Sequence, residues 1–401
     1  MAKPFSNRRL RVNYWYGNAV EDDIPVLAPL LGQALHFNMT REALVEWMQK
    51  RGVGLYRAFK VDGTIAAGLG ILPMGQWFGG KAQPTAGITV VGVGPEWRGR
   101  KVGGLMMEAM LREQYEQDVA ISTLYPATTQ FYRTLGYERA GSRILYQLNP
   151  SLIKPKRDHG VTLRQVLETD YAPFAAIYDP WAASQAGVLE RSQLMWERVM
   201  VSPRAERLRY ILSDQAGQAV GYVVYEQAGQ FEDVKVIDWV ATTGAALDAL
   251  LDFWAGHRSL VSKIVLPGAP IDPLLFRYHE QGIEYNWHLD WMLRIINAPL
   301  AIQRRGFPRW LNCEIALDLI DPRLDWNHGR WVLQLRDGVG RLERGGNGAV
   351  SLHVRDLAAL YSGYLAPHDL RLAGSLQADA EQLGLLAAIF ASPRPWMSDM
   401  F

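Results

Sequence analysis

A chain of 401 residues, 49% hydrophobic and 21% charged, is too long for one ordinary core and reads as a soluble globular protein of two or three domains. Its net charge of +1 makes no electrostatic case for nucleic acid or an acidic membrane surface as a partner. The single cysteine, Cys313, excludes an intrachain disulfide framework and a cysteine metal site. No apolar run reaches membrane-spanning length, and the opening residues lack a signal-peptide core, so the expected setting is the cytoplasm. The histidines keep no metal-ligand spacing, so no metal is expected. His279 and His288 flank an aromatic-rich segment, and packing or solvent contact is their expected role.

In chain order, Leu10–Tyr16 reads as an edge strand. Glu21, Asp22 and Asp23 precede a helical pattern over Ile24–Phe37, where carboxylates suit capping and the helix dipole; contact with a cationic substrate is the other role open to them. A second helix covers Arg41–Arg51. Leu55–Val61 and Thr64–Leu72 form a hairpin across Asp62-Gly63. Gly79-Gly80 turns the chain into a buried strand at Gly87–Gly94, rich in β-branched residues. After Pro95-Glu96-Trp97, Arg98–Gly104 opens a helix whose apolar residues Val102, Leu105, Met106, Ala109 and Met110 keep helical spacing, and Val119–Leu124 and Arg139–Leu148 are strands. Pro150 and Lys154-Pro155-Lys156 make a linker.

The following segment repeats this order. Strands read at Tyr210–Leu212, Val220–Gln227 and Val234–Thr242, with a helix over Ala245–Trp254. Its strand-to-helix turn, Ala241-Thr242-Thr243-Gly244, carries no arginine and no glycine pair. From about Trp291 the pattern changes again. Strands are expected at Cys313–Leu319, Trp331–Leu335, Gly340–Leu342 and Ala349–Val354, then helices at Arg355–Tyr364 and Glu381–Phe390.

The chemistry concentrates where Gly87–Gly94 meets the helix beyond it. A strand, a turn rich in Gly and Arg (Arg98, Gly99, Arg100, Lys101, Val102, Gly103, Gly104) and a helix N-terminus make an anion site. First-turn amides lack intrahelical partners, the dipole favours negative charge, and glycines admit phosphate oxygens. No Gly-Lys-Ser/Thr ends the turn and no Gly-x-Gly-x-x-Gly is present, which argues against a nucleotide triphosphatase and a Rossmann dehydrogenase.

The stretch resembles the GNAT acetyltransferase superfamily. Val93-x-Pro95-x-x-Arg98-x-Arg100, followed by Tyr132-x-x-x-Gly136-Tyr137, is similar to the Eis (enhanced intracellular survival) acetyltransferases, and the resemblance covers essentially the whole chain. It implies an α/β (α+β) protein: a catalytic GNAT domain (1–150), a second, degenerate GNAT-like domain (151–290) and a sterol-carrier-protein-like domain (291–401). It implies acetyl-CoA as cosubstrate, contacted by Val91, Gly92 and Val93, wrapped at its pyrophosphate by Gly99 through Gly104, and flanked by Ala127 and Thr128. Tyr132 matches the family's general acid, with Tyr125 a nearby alternative, and the carboxylate of the last residue, Phe401, matches its base. The acceptor implied is a primary amine of an aminoglycoside, polyamine or lysine side chain, and the assembly a homo-oligomer, specifically a hexamer. Two departures stand out: Lys101 occupies the place of the family's first loop glycine, and Met400, not Glu, precedes Phe401, with Asp399 one step back.

A phenol of pKa about 10 suits donation to a departing thiolate. A free α-carboxyl of pKa about 3.3–3.7 is a poor base unless it is buried. Two other readings remain open on the residues: a catalytically silent acyl-CoA or lipid sensor, and a transferase using another acyl-CoA. Tyr14, Trp15, Tyr16, Trp77, Phe78 and Trp396 are candidates to line a substrate pocket, though most tryptophans are expected to pack.

Overall fold

Asp62 and Gly63 turn the chain with φ of 49° and 82°, the left-handed pair that a two-residue hairpin requires. The turn sets Val61 opposite Thr64. In a computed structural model, which describes residues 12–227, 229, 233–278 and 282–401, this hairpin is the first of a long series. Strand β1 (Tyr14–Asn18) pairs with β2 (Tyr56–Val61), β2 with β3 (Thr64–Phe78), and β3 with β4 (Lys81–Val93). Of the expected first strand, Leu10 and Arg11 lie outside the described residues, as does His279. Helices α1 (Ile24–Ala34) and α2 (Arg41–Arg51) cover one face. The expected extension of α1 to Phe37 fails because His36 adopts a φ of 55°, which no α-helix continues.

Beyond β4 come α3 (Val102–Glu116), β5 (Ile121–Leu124), α4 (Thr129–Arg133) and β6 (Glu138–Leu148). The second half supplies β7 (Thr162–Val166), α5 (Ala172–Ala183), β8 (Leu189–Glu190), α6 (Gln193–Met200), β9 (Leu208–Ser213) and β10 (Ala219–Gln227). It continues with β11 (Val234–Ala241), α7 (Gly244–Ala255), β12 (Ile264–Gly268), α8 (Leu274–Arg277) and β13 (Glu284–Ile295).

One sheet joins both halves in the order β1-β2-β3-β4-β5-β13-β6-β12-β11-β10-β9-β7, with β8 on β3. The last strand of the second half, β13, enters the first sheet between β5 and β6, antiparallel to both. In return β6 pairs with β12. The sheet thus takes strands from both sides of residue 150, and β13 spans residue 290. Linker signals mark where a chain leaves its sheet, not which strands share a core.

The third region opens with α9 (Ala298–Arg304) and carries a separate sheet, β16-β15-β14-β17-β18, built from β14 (Cys313–Ile320), β15 (Gly329–Arg336), β16 (Val339–Arg344), β17 (Val350–His353) and β18 (Leu376–Gln377). Helices α10 (Val354–Ser362), α11 (Pro367–Leu372) and α12 (Ala380–Ile389) pack with it. Its core is continuous with that of the first half: Phe78 meets Tyr361 at 5.1 Å. The Gly79-Gly80 turn explains itself here, because a Cβ on Gly79 would lie 2.1 Å from the carbonyl oxygen of Gly306. Fully buried Arg294 on β13 donates to both oxygens of Asp321 at 2.8 Å, tying the exchanged strand to the third region. No helix among the described residues is long and apolar enough to cross a membrane.

Candidate active site

Strands β4 and β5 run parallel from Thr85 opposite Ile121 to Ile88 opposite Leu124, and then part. A β-bulge marks the parting. Gly70 faces Thr89, while Gly68 faces Gly92, so β4 carries one extra residue. Val90 takes a φ of 46° to accommodate it. A β-branched residue in that region costs on the order of 1–3 kcal/mol. The bulge bends the strand, and the amides of Val91–Val93 that face away from β3 are left without a ladder partner. Ala127 and Thr128, both exposed, lie across the wedge beyond β5.

At the open end Pro95–Trp97 makes a 3-10 turn and α3 begins at Val102 with no side-chain cap. Its first intrahelical bond runs from Leu105 N to Lys101 O at 3.1 Å, so the amides of Val102, Gly103 and Gly104 have no partner within the helix. A Cβ at Gly99 or Gly104 would meet nothing within 4 Å, whereas one at Gly103 would meet Val93 and Phe131 at 3.2 and 3.4 Å. Gly103 therefore packs the helix onto β4 and α4, and its two neighbours in the turn leave backbone open to a ligand. The Arg100 guanidinium stacks 5.4 Å from the Trp97 ring. Lys101 is exposed with φ 63°, so the turn keeps the left-handed geometry a glycine would give, with a cation outward.

Tyr132 lies on α4, 6% exposed, its ring edge-on to Phe131 at 5.1 Å and to Tyr137 at 5.8 Å. Burial pushes its phenol up to about 12. Arg133 fixes the end of α4 through a bidentate bond to Glu138.

The chain terminus is docked. Trp396 bridges Ser142 of β6 as a parallel partner: Ser142 N donates to Pro395 O at 3.1 Å and Met397 N to Ser142 O at 3.2 Å. Arg143 Nε donates to Ser398 O and the Tyr125 hydroxyl to Asp399 O, each at 2.8 Å. The Phe401 ring then packs on Tyr125 at 5.5 Å. Phe401 thus reaches the residue that follows β5, in the core shared with the third region, whereas Tyr132 belongs to the core of the first half. Tyr125, the alternative acid, has committed its proton to the tail.

Models of two acetyltransferase (GNAT) domains match residues 17–140 and 187–295, and a sterol carrier protein domain model matches residues 298–398. The chain is 31% identical to a GCN5-related N-acetyltransferase from Anabaena variabilis, with a TM-score of 0.91 over 97% of this chain and 100% of that one. It belongs to the GNAT acetyltransferases. A second solved structure, a GCN5-related N-acetyltransferase from Kribbella flavida, is 28% identical with a TM-score of 0.85, over 97% of this chain and 99% of that one. Among curated proteins, N-acetyltransferase Eis of Mycobacterium bovis (strain BCG) is 26% identical over 78% of this chain and 79% of its own length.

The tandem of GNAT folds explains the second half. There the counterpart of the phosphate turn is closed: Thr243 caps α7 by accepting from Ala246 N at 3.1 Å. A guanidinium nitrogen of Arg277 lies 2.7 Å from where a Cβ of Gly244 would stand.

What this GNAT half does contribute is a clamp on the tail. Arg191, just after β8, donates through Nε to Asp399 at 3.0 and 3.1 Å and through Nη1 to Asp238 at 2.6 Å. Its Nη2 adds a bond to Ser398 Oγ at 3.0 Å. The Tyr222 hydroxyl donates to Asp238 at 2.5 Å. Asp399 is therefore buried on Arg191.

Sequence reasoning missed Arg191, Asp238 and the Val90 bulge. No local pattern announces a lone arginine whose partner is 208 residues away. The acidic trio had a mixed outcome: Asp23 accepts from Val20 N at 3.2 Å and pairs with Lys60 at 2.7 Å, without a side-chain cap on α1. The aromatic candidates mostly pack: Phe78 and Trp396 are buried, Tyr14 lies on Phe59 at 5.8 Å, and Tyr16 donates to Glu113 at 2.5 Å. His288 bonds Asp290 at 3.0 Å.

Proposed function

We propose that the chain transfers acetyl from acetyl-CoA directly to a primary amine, of an aminoglycoside, a polyamine or a lysine side chain. The uncapped α3 N-terminus, the open backbone at Gly99 and Gly104, and the cations Arg98, Arg100 and Lys101 suit a diphosphate. Unpaired β4 amides over Val91–Val93 suit the pantetheine arm and an oxyanion developing on the thioester carbonyl. When bound, the donor supplies the activated acetyl group; the chain's residues hold it and move protons. As the carbon–nitrogen bond forms and the carbon–sulfur bond breaks, Tyr132 gives its proton to sulfur. The Phe401 carboxylate takes the proton the amine loses, directly or through water.

The observation that carries this reading is the docked terminus, which ends on Tyr125 where β4 and β5 have parted. An ordinary chain end frays; this one is held by Ser142, Arg143, Tyr125 and Arg191. The test is release of CoA from acetyl-CoA across a panel of amines, comparing wild type with Tyr132→Phe. Turnover that depends on the amine and collapses in the variant supports the reading. Turnover kept in the variant removes Tyr132 from its role. Assembly as a homo-oligomer, with a hexamer as the family expectation, is checked by light scattering on the eluted protein.

A further inference from the structure

The GNAT half without an open phosphate turn still has a cleft. A cavity of about 840 Å3 lies between the end of β11, the start of α7 and the segment after β12. These are the same three elements that form the cofactor wedge in the first half. A fourth wall is the segment Ser392–Trp396, which leads directly into the docked tail. From this we infer that the second half is a binding site for a flat apolar molecule carrying a single carboxylate.

The chemistry follows from the walls. A guanidinium nitrogen of Arg277 covers Gly244, over backbone of the kind that the first half leaves open at Gly99 and Gly104. The same guanidinium, braced only at 3.5 Å by Asp248, stands beside a helix N-terminus, and Arg394 adds a second cation with no carboxylate partner among the described residues. The carboxylate of Asp272, also in the wall, is spent on the amides of Ala269 and Leu274 at 3.0 and 2.9 Å. With two arginines in its lining and its one carboxylate spent on backbone amides, the cleft favours an anion.

The rest favours an aromatic body. Trp181 and Trp396 meet edge to face at 6.0 Å, and Trp239 presents its ring with its N–H already donated to Pro267 O. At the rim Phe276 is 84% exposed and Ile271 60% exposed, apolar surface that an occupant would cover. Because Trp396 N donates to Ala186 O and Met397 N to Ser142 O, an occupant pressed against Trp396 holds the strap that positions the tail.

The experiment titrates 2-naphthoate into the full chain by calorimetry, with hydrogen exchange read at the Trp396 and Met397 amides. The expected result is saturable binding, one per chain, not displaced by CoA, with slower exchange at both amides. Arg394→Glu, at an exposed position, weakens binding at least about tenfold, which is about 1.4 kcal/mol. Ala269→Phe, which fills the cleft, abolishes it, and 2-naphthamide binds more weakly than the acid. Absence of saturable binding overturns the inference. So does displacement by CoA, equal affinity in both variants, or unchanged exchange at Trp396 and Met397.

Discussion

Arg191 and Asp399 form a buried ion pair between the second GNAT half and the last turn of the chain, at 3.0 Å with both side chains almost wholly excluded from water. The guanidinium stands between two carboxylates, with Asp238 on its other side at 2.6 Å. It also lies 4.2 Å from the Tyr178 ring and 4.8 Å from the Trp196 ring. The second GNAT half thus holds the last residues of the chain in place.

The arrangement makes the two partners unequal. Arg191→Met strands two buried carboxylates and costs about 3–5 kcal/mol. Asp399→Asn leaves Arg191 paired with Asp238 and costs about 1–2 kcal/mol. Urea unfolding measures both. In Asp399→Asn kcat should fall with KM for acetyl-CoA unchanged, because only the tail loses one of its anchors. An unaltered kcat would show that the clamp serves stability alone.

Tyr132→Phe removes a hydroxyl that makes no hydrogen bond among the described residues, and keeps the ring that packs on Phe131 and Tyr137. The melting temperature should hardly move while kcat falls by about 10²–10⁴. Thermal unfolding and steady-state kinetics on the same preparation separate the two effects.

Gly104→Ala should trade one property for the other. Its Cβ meets nothing within 4 Å, and alanine raises helix propensity, so stability rises by up to about 1 kcal/mol. The new methyl group stands where the donor's phosphates are expected, so KM for acetyl-CoA should rise. Lys101→Gly relieves a left-handed residue without closing the turn, and should leave kcat intact.

The elements legible in the sequence were local ones. Asp62-Gly63 fixes its hairpin by backbone preference, and the glycines and arginines of Arg98–Gly104 announce an anion-binding turn within seven residues. What escaped depends on contacts that no window of sequence contains. The entry of β13 between β5 and β6 is decided by pairing across 169 residues, as between Thr123 and Met292. The bulge at Val90 contradicts the preference of valine and is imposed by the register with β3. The roles of Tyr132 and Phe401 came from resemblance alone; the structure packs Phe401 on Tyr125 and sets Gly103 against Phe131, the neighbour of Tyr132.

The pH dependence of stability follows from the buried phenols. Tyr132 and Tyr56 are both pushed up to about 12 by burial, and Tyr125 and Tyr137 are raised further by the same cause. In the unfolded chain these groups ionise near about 10. Their contribution is therefore complete below about pH 10 and is lost as pH rises towards about 12. Urea midpoints should be flat up to about pH 9 and fall steeply beyond about pH 10, and Tyr132→Phe should soften that fall. Catalysis should show no alkaline limb from Tyr132 within the flat range.

The most direct test of the terminal carboxylate is to move it. A chain lengthened by one alanine after Phe401 keeps every side chain, the phosphate turn and the Arg191 clamp, but shifts the carboxylate by one residue. With the carboxylate displaced, kcat for amine acetylation falls at least about a hundredfold, with KM for acetyl-CoA unchanged. An extended chain that turns over at the wild-type rate would contradict it.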